Sequence, residues 1–218
     1  MPYKVILVGA SGLIGSNLLS ELIRSEAISE ILLLVRKSTG VSSSKVKELI
    51  VNFEEPNSYS VDIQGDIIYS CLGTTKSETP NTSIYRQIDL EYPLNLAKIG
   101  HKNGVAQFHI ISSLGADARS SNSYLKLKGE LEQELKKLTI PSLHIYQPSF
   151  LIGERKKYRL ADKIMKPIFR IIDPLLMGPL KKYRSIKARD VAKVMLDQSI
   201  KDLKGTFTYP SIHIQELA

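Results

Sequence analysis

A chain of 218 residues has room for one large α/β domain and is marginal for two. With 43% hydrophobic and 24% charged residues it reads as an ordinary globule, and its one cysteine, Cys71, excludes an internal disulfide and fits a reducing compartment. No apolar run nears the roughly 18 residues of a membrane span, and the net charge of +8 is matched by one stretch, Arg155 to Arg184, with ten basic residues and two acidic ones.

Val5-Ile6-Leu7-Val8 predicts a strand buried on both faces. It begins so near the N-terminus that no cleaved leader is expected, which predicts a cytoplasmic protein. Gly9-Ala10-Ser11-Gly12-Leu13-Ile14-Gly15 follows and runs into helical spacing at Leu18, Leu19, Leu22 and Ile23. Strand, glycine turn and helix form the context of a dinucleotide fingerprint, in which backbone N–H groups and a helix N-terminus meet a pyrophosphate. Glu30 to Lys37 reads as the second strand. At its end an NAD enzyme carries a carboxylate for the ribose hydroxyl, whereas here Arg36 and Lys37 suit a 2′-phosphate. NADP(H) is therefore expected over NAD(H).

Lys47 to Phe53 is the third predicted strand, with Asn52 and Phe53 at the end that would meet an adenine. Asp66 to Cys71 is the fourth, and the turn after it, Leu72-Gly73-Thr74-Thr75, should face the cofactor. Cys71 reads as a small buried residue, since nothing near it in sequence would activate a thiol. Helical spacing spans Thr82 to Lys102, with Pro93 expected to bend or divide it. His101 falls in its last turn, a dipole contact. Val105 to Ile111 is the fifth strand, with His109 inside it as a core residue and Ser112, Ser113 and Gly115 at its exit. No group of side chains has metal-ligand spacing, so no metal site is expected.

Ser123 to Leu138 is a helix on which Tyr124 and Lys128, four apart, share a face. An ammonium beside a phenol favours phenolate, which suits proton transfer at a substrate oxygen. Pro141 to Gln147 is the sixth strand and leads into Pro148-Ser149-Phe150. Arg159 to Ile172 reads as a basic amphipathic helix, expected to cover a substrate cleft sooner than to lie on a membrane. Nothing resembles a nucleic-acid module. A short extended piece, Arg184 to Lys187, a helix from Ala188 and a strand, Gly205 to Tyr209, complete the chain. Without a linker or repeat, residues 1–218 read as one doubly wound, mostly parallel α/β unit of Rossmann type, with about 149–184 as a substrate-side insertion.

GASGLIG, CLGTT, IISS, Tyr124-x-x-x-Lys128, QPSFLIGER and IKARDVAKVM in this order resemble an extended or atypical short-chain dehydrogenase/reductase. The chain is most similar to the small Tat-interacting-protein-like oxidoreductase group and its bacterial relatives. That resemblance implies hydride transfer between NADP(H) and a small carbonyl or alcohol substrate; the sequence leaves monomer and homodimer both open. Tyr124 would be the general acid/base. Lys128 would tune it and hold the nicotinamide ribose, and Ser113, ahead of Ser112, would bond the substrate carbonyl. Gly9, Ala10, Ser11, Gly12, Leu13, Ile14 and Gly15 would cradle the pyrophosphate, with Arg36 and Lys37 at the 2′-phosphate. Cys71, Leu72, Gly73, Thr74, Pro148, Ser149 and Phe150 would line the path to the nicotinamide. Two positions depart from the pattern: Asp89 stands where Asn is frequent, and Gln147 where Arg commonly precedes the proline. The other readings are an NADP-sensing binding protein on the same fold and a sugar-nucleotide epimerase, the latter weakened by Arg36 and a short C-terminal region.

Overall fold

The computed structural model describes residues 2–75, 78–153 and 172–218. In chain order it contains β1 (Tyr3–Val8), α1 (Leu13–Arg24), β2 (Ile28–Val35), β3 (Val46–Ile50) and β4 (Ile67–Ser70). Next come α2 (Thr82–Arg86), a π-helical stretch (Gln87–Glu91), α3 (Tyr92–Lys102), β5 (Gln107–Ile111), α4 (Ser123–Lys137) and β6 (Ser142–Gln147). After these come β7 (Leu151–Ile152), β8 (Ile186–Lys187), α5 (Ala188–Ser199), β9 (Gly205–Pro210) and α6 (Ser211–Leu217).

Seven strands form one sheet in the order β3-β2-β1-β4-β5-β6-β9, with every pairing parallel. The order reverses between β1 and β4, and ligands of such sheets sit in the crevice beyond the carboxyl ends at that point. The glycine turn after β1 and the Leu72–Thr74 turn after β4 flank that crevice. Both faces are covered, which is why β1 reads as unbroken apolar sequence. Leu18 and Leu22 of α1 pack with Val191 and Met195 of α5 on one face, and Leu96 of α3 with Leu131 and Leu135 of α4 on the other. Each such fully buried side chain contributes about 1.5–3 kcal/mol relative to exposure.

The third strand is shorter than its apolar pattern suggests. It ends at Ile50, because Asn52 heads a turn in which its Oδ1 accepts from Glu54 N (3.1 Å) and its Nδ2 donates to Glu55 (3.0 Å). The helical span is divided just ahead of Pro93, where the π-helical stretch separates α2 from α3. Pro93 has no N–H for the Asp89 carbonyl, and the ladder slips there: Tyr92 N bonds Gln87 O, five residues back.

A ladder of rings crosses four strands, with Tyr69, His109, His144 and Phe207 in register. His109 and His144 stack at 4.2 Å with planes 5° apart. His109 bonds Tyr146 (3.1 Å) and Gln107 (3.2 Å), and His144 bonds Tyr209 (3.0 Å) and Ser142 (2.9 Å). His109 is thus a core residue.

Candidate active site

The glycine turn is built for close approach. Gly9 has φ +81°, and a Cβ there would sit 2.5 Å from the Cys71 carbonyl oxygen. A Cβ on Gly15 would overlap the Gly9 carbonyl, so these two positions require glycine. Gly12 N donates to Gly9 O (2.9 Å), and Gly12 caps α1 with no side chain bonded to the first-turn amides. Those N–H groups point into the crevice end of the helix, the arrangement that receives a pyrophosphate. Ser11 and Gly12 are exposed and Leu13 is half-buried, whereas Ala10 and Ile14 are buried in the core and offer backbone only.

Arg36 and Lys37 lie exposed just past β2, and neither has an ion-pair partner among the described residues. The Arg36 guanidinium acts on Tyr92, where burial and Glu54 outweigh it and the phenol pKa is raised. Asn52 and Phe53 are brought to the same edge, but their side chains are committed to the protein. Asn52 is held in its own turn, and Phe53 is buried between Tyr92 (stacked, 5.5 Å) and Tyr59 (edge-on, 6.0 Å). On the other side of the crevice, burial pushes the Cys71 thiol up to about 12, which keeps it inert at neutral pH. Leu72 is half-buried and Gly73 exposed, and Thr74 N donates to Asp89 Oδ2 (2.9 Å).

The N-cap of α4 is Asn122, whose side chain accepts from Tyr124 N (2.9 Å) and Leu125 N (3.3 Å). Tyr124 therefore stands half-buried in the first turn, with Lys128 buried one turn deeper. Lys128 Nζ lies 2.8 Å from Asp89 Oδ1 and 3.5 Å from the Ile111 carbonyl. The two form a buried ion pair. Burial alone would lower the Lys128 pKa, but Asp89, Tyr124 and Glu132 outweigh it and the pKa is raised, so the side chain is an ammonium. Gly73 opens a window on the pair: a Cβ there would come within 3.5 Å of Asp89 Oδ1.

Sequence reasoning missed Glu132, one further turn along α4. It is buried and accepts from the Ser112 hydroxyl and from Gln147 Nε2 (2.9 and 3.1 Å). Tyr124, Lys128 and Glu132 are spaced i, i+4, i+8, a signal that was legible in the sequence. The departure at Gln147 is thereby accounted for, since its amide donates to Glu132. Ser112 is turned inward, while the half-buried Ser113 has no side-chain hydrogen bond among the described residues.

Past β6, the Pro148 carbonyl accepts from Leu114 N (3.0 Å) and the Phe150 carbonyl from Ile186 N (2.9 Å). Ser149 bonds the Arg184 carbonyl and Ser211 Oγ (2.8 Å). These ties fix the exit of β6 against the β5 exit, β8 and α6. The helix expected at 159–172 lies outside the described residues except for Ile172, as does half of the 149–184 insertion. A cleft of about 390 Å³ opens between α2 and α4, lined by Thr79, Thr82, Tyr85, Arg86, Ser123 and Lys126 among others. Among the described residues no three His, Cys, Asp or Glu gather as metal ligands, and no helix is long and apolar enough to cross a membrane.

Residues 5–130 match the profile described as "NAD dependent epimerase/dehydratase family". Protein HTATIP2 of Rattus norvegicus is 31% identical over 170 residues, spanning 76% of this chain and 70% of its own. The Candida albicans protein named "Protein FMP52, mitochondrial" is 34% identical over 213 residues, 93% of this chain and 90% of its own. The mitochondrial name corrects the cytoplasmic expectation, which rested on the early first strand, the single cysteine and the lack of a membrane-length apolar run. Among solved structures, the Bordetella bronchiseptica enzyme WbmG in complex with NAD and UDP superposes with a TM-score of 0.70 at 14% identity. That superposition covers 96% of this chain and 73% of WbmG. With a glycine cradle at the switch point of a 3-2-1-4-5-6 sheet, a Tyr-x-x-x-Lys helix beside it and these relatives, the chain belongs to the NAD dependent epimerase/dehydratase family.

Proposed function

We propose that this chain is an NADP(H)-dependent oxidoreductase acting on a small carbonyl or alcohol, with residues 1–218 working as one unit. The observation that carries the reading is the half-buried Tyr124 phenol one helical turn above a buried, charge-locked Lys128. The glycine cradle fits a dinucleotide, because Gly9 and Gly15 leave no room for a Cβ yet bring backbone close to the crevice. When bound, the nicotinamide ring supplies or accepts the hydride. In the reductive direction Tyr124 gives its proton to the substrate oxygen as negative charge develops there, and in the oxidative direction it takes the proton back. Lys128, held by Asp89, stabilises the phenolate left behind and has donors to spare for ribose hydroxyls. Ser113, with its hydroxyl uncommitted, bonds the carbonyl oxygen and orients it. Arg36 and Lys37 take the 2′-phosphate.

Titration with NADPH and NADH, followed by nicotinamide fluorescence, is expected to show selective NADPH binding. Arg36→Ala should erase about tenfold of that preference, the loss of one charge-assisted contact. A wild-type preference for NADH would sink the NADP assignment and restore weight to an epimerase. Tyr124→Phe should lower turnover of the best substrate in an aldehyde and ketone panel by about a hundredfold or more, with NADPH affinity nearly unchanged. Unaltered turnover in that variant would remove Tyr124 from the chemistry.

A further inference from the structure

Parallel neighbours such as β2 and β3 are usually joined by a crossover of a dozen or more residues, commonly a helix. Here ten residues, 36–45, make the connection with no helix or strand of their own. One side chain holds them. Glu48, on the edge strand β3 and in register with Leu33 of β2, turns its carboxylate onto the first residues of the loop. Oε2 accepts from Ser38 Oγ at 2.6 Å, Oε1 accepts from Thr39 N at 3.0 Å, and the Thr39 hydroxyl donates to the same Oε1. A second tier closes the turn: Ser38 Oγ accepts from Gly40 N (3.2 Å) and Thr39 Oγ1 from Val41 N (3.3 Å), with Gly40 at φ +70°. These donors hold the Glu48 carboxyl below the usual carboxylate range, Ser38 most strongly.

We propose that Glu48 is a positioning residue for cofactor selectivity: by clamping Ser38 and Thr39 it presents Arg36 and Lys37 to a nucleotide 2′-phosphate. This rests on the NADP reading above. The clamp begins one residue after Lys37, so the chain turns back onto β3 at once and the two cations stay at the carboxyl end of β2, beside the crevice. It also occupies the one carboxylate on the facing strand. Glu48 spends its charge on three donors from the loop, and among the described residues neither it nor Arg36 forms an ion pair. A carboxylate released from that duty would compete with phosphate for the guanidinium, since both accept it in the same geometry. The residue is thus acidic in a basic phosphate site without opposing the phosphate.

The test compares NADPH and NADH affinities of wild type, Glu48→Ala, Glu48→Gln and the double variant Ser38→Ala/Thr39→Val. Glu48→Ala should raise the NADPH Kd about five- to tenfold and leave the NADH Kd within about twofold, with Glu48→Gln in between because one amide oxygen can still accept. The double variant removes both hydroxyl donors of the clamp while keeping the carboxylate and should lose at least as much NADPH affinity as Glu48→Ala. If wild type prefers NADPH and all three variants keep that preference, the clamp has no part in selectivity. If the variants weaken both cofactors by the same factor, Glu48 serves stability alone. If wild type shows no NADPH preference, the Arg36 reading fails first and this one falls with it.

Discussion

Replacing Asp89 by alanine is expected to lower folding stability by about 3–5 kcal/mol, since it leaves a buried charge without its partner. Lys128 and Asp89 are both almost fully buried, 3% and 1% exposed by side chain, and 2.8 Å apart. Asp89 also accepts Thr74 N, so its loss strands an amide in the turn after β4 as well. The sign of the pH dependence makes the test specific. In the wild type the Lys128 pKa is raised above 10.5, so the pair's contribution is full below that value and fades only as pH rises past it. Without Asp89, burial is opposed only by Tyr124 and Glu132, and the folded-state pKa is expected to fall below the unfolded one. The variant should therefore gain stability as pH rises from neutrality, the reverse of the parent. Urea denaturation at several pH values reads both effects. Asp89→Asn keeps the Thr74 bond and should cost less. A loss under about 1 kcal/mol for Asp89→Ala would mean the ammonium finds water in the folded state.

The same pair shows what was legible in the sequence. The glycine turn could be read because its neighbours on both sides announce themselves, four apolar residues before it and a helical stripe after it. The Tyr124–Lys128 face follows from spacing alone. Asp89 could not be placed, because the effect of Pro93 was ambiguous: a missing N–H can break a helix, kink it or slip its ladder. Here it slips, and the wider π turn carries Asp89, which meets Lys128 inside the protein. Glu132 was hidden for a different reason. A glutamate on a helix is usually solvated, and only the approach of Ser112, just past β5, and Gln147, at the end of β6, makes a buried one tenable. Phe53 looked like the tip of a strand facing a ligand, yet the Asn52 turn two residues after β3 carries it into the core.

Acidification from about pH 7 to pH 5 is expected to remove about 3–4 kcal/mol of stability through His109 and His144. Both rings are fully buried, stacked on each other, and bonded to neutral partners: Tyr146 and Gln107 for one, Tyr209 and Ser142 for the other. Among the described residues no carboxylate bonds either ring to hold an imidazolium. Burial, with His144 adding to it, drives the His109 pKa well below 6.5, and burial brings His144 down to about 4. For a base, a depressed folded-state pKa means the unfolded chain binds more protons. Stability is therefore complete above 6.5 and is lost as pH falls from there toward 4. Each ring gives a slope of up to about 1.4 kcal/mol per pH unit. Denaturation midpoints measured across that window should fall steeply. His144→Phe keeps a ring in the stack with Phe207 and removes one titrating group, so the slope should drop by about half even though Ser142 and Tyr209 lose a partner. An unchanged slope in His144→Phe would show that His144 takes up its proton without unfolding. The ladder would then open locally on that strand, rather than resist acid as one unit.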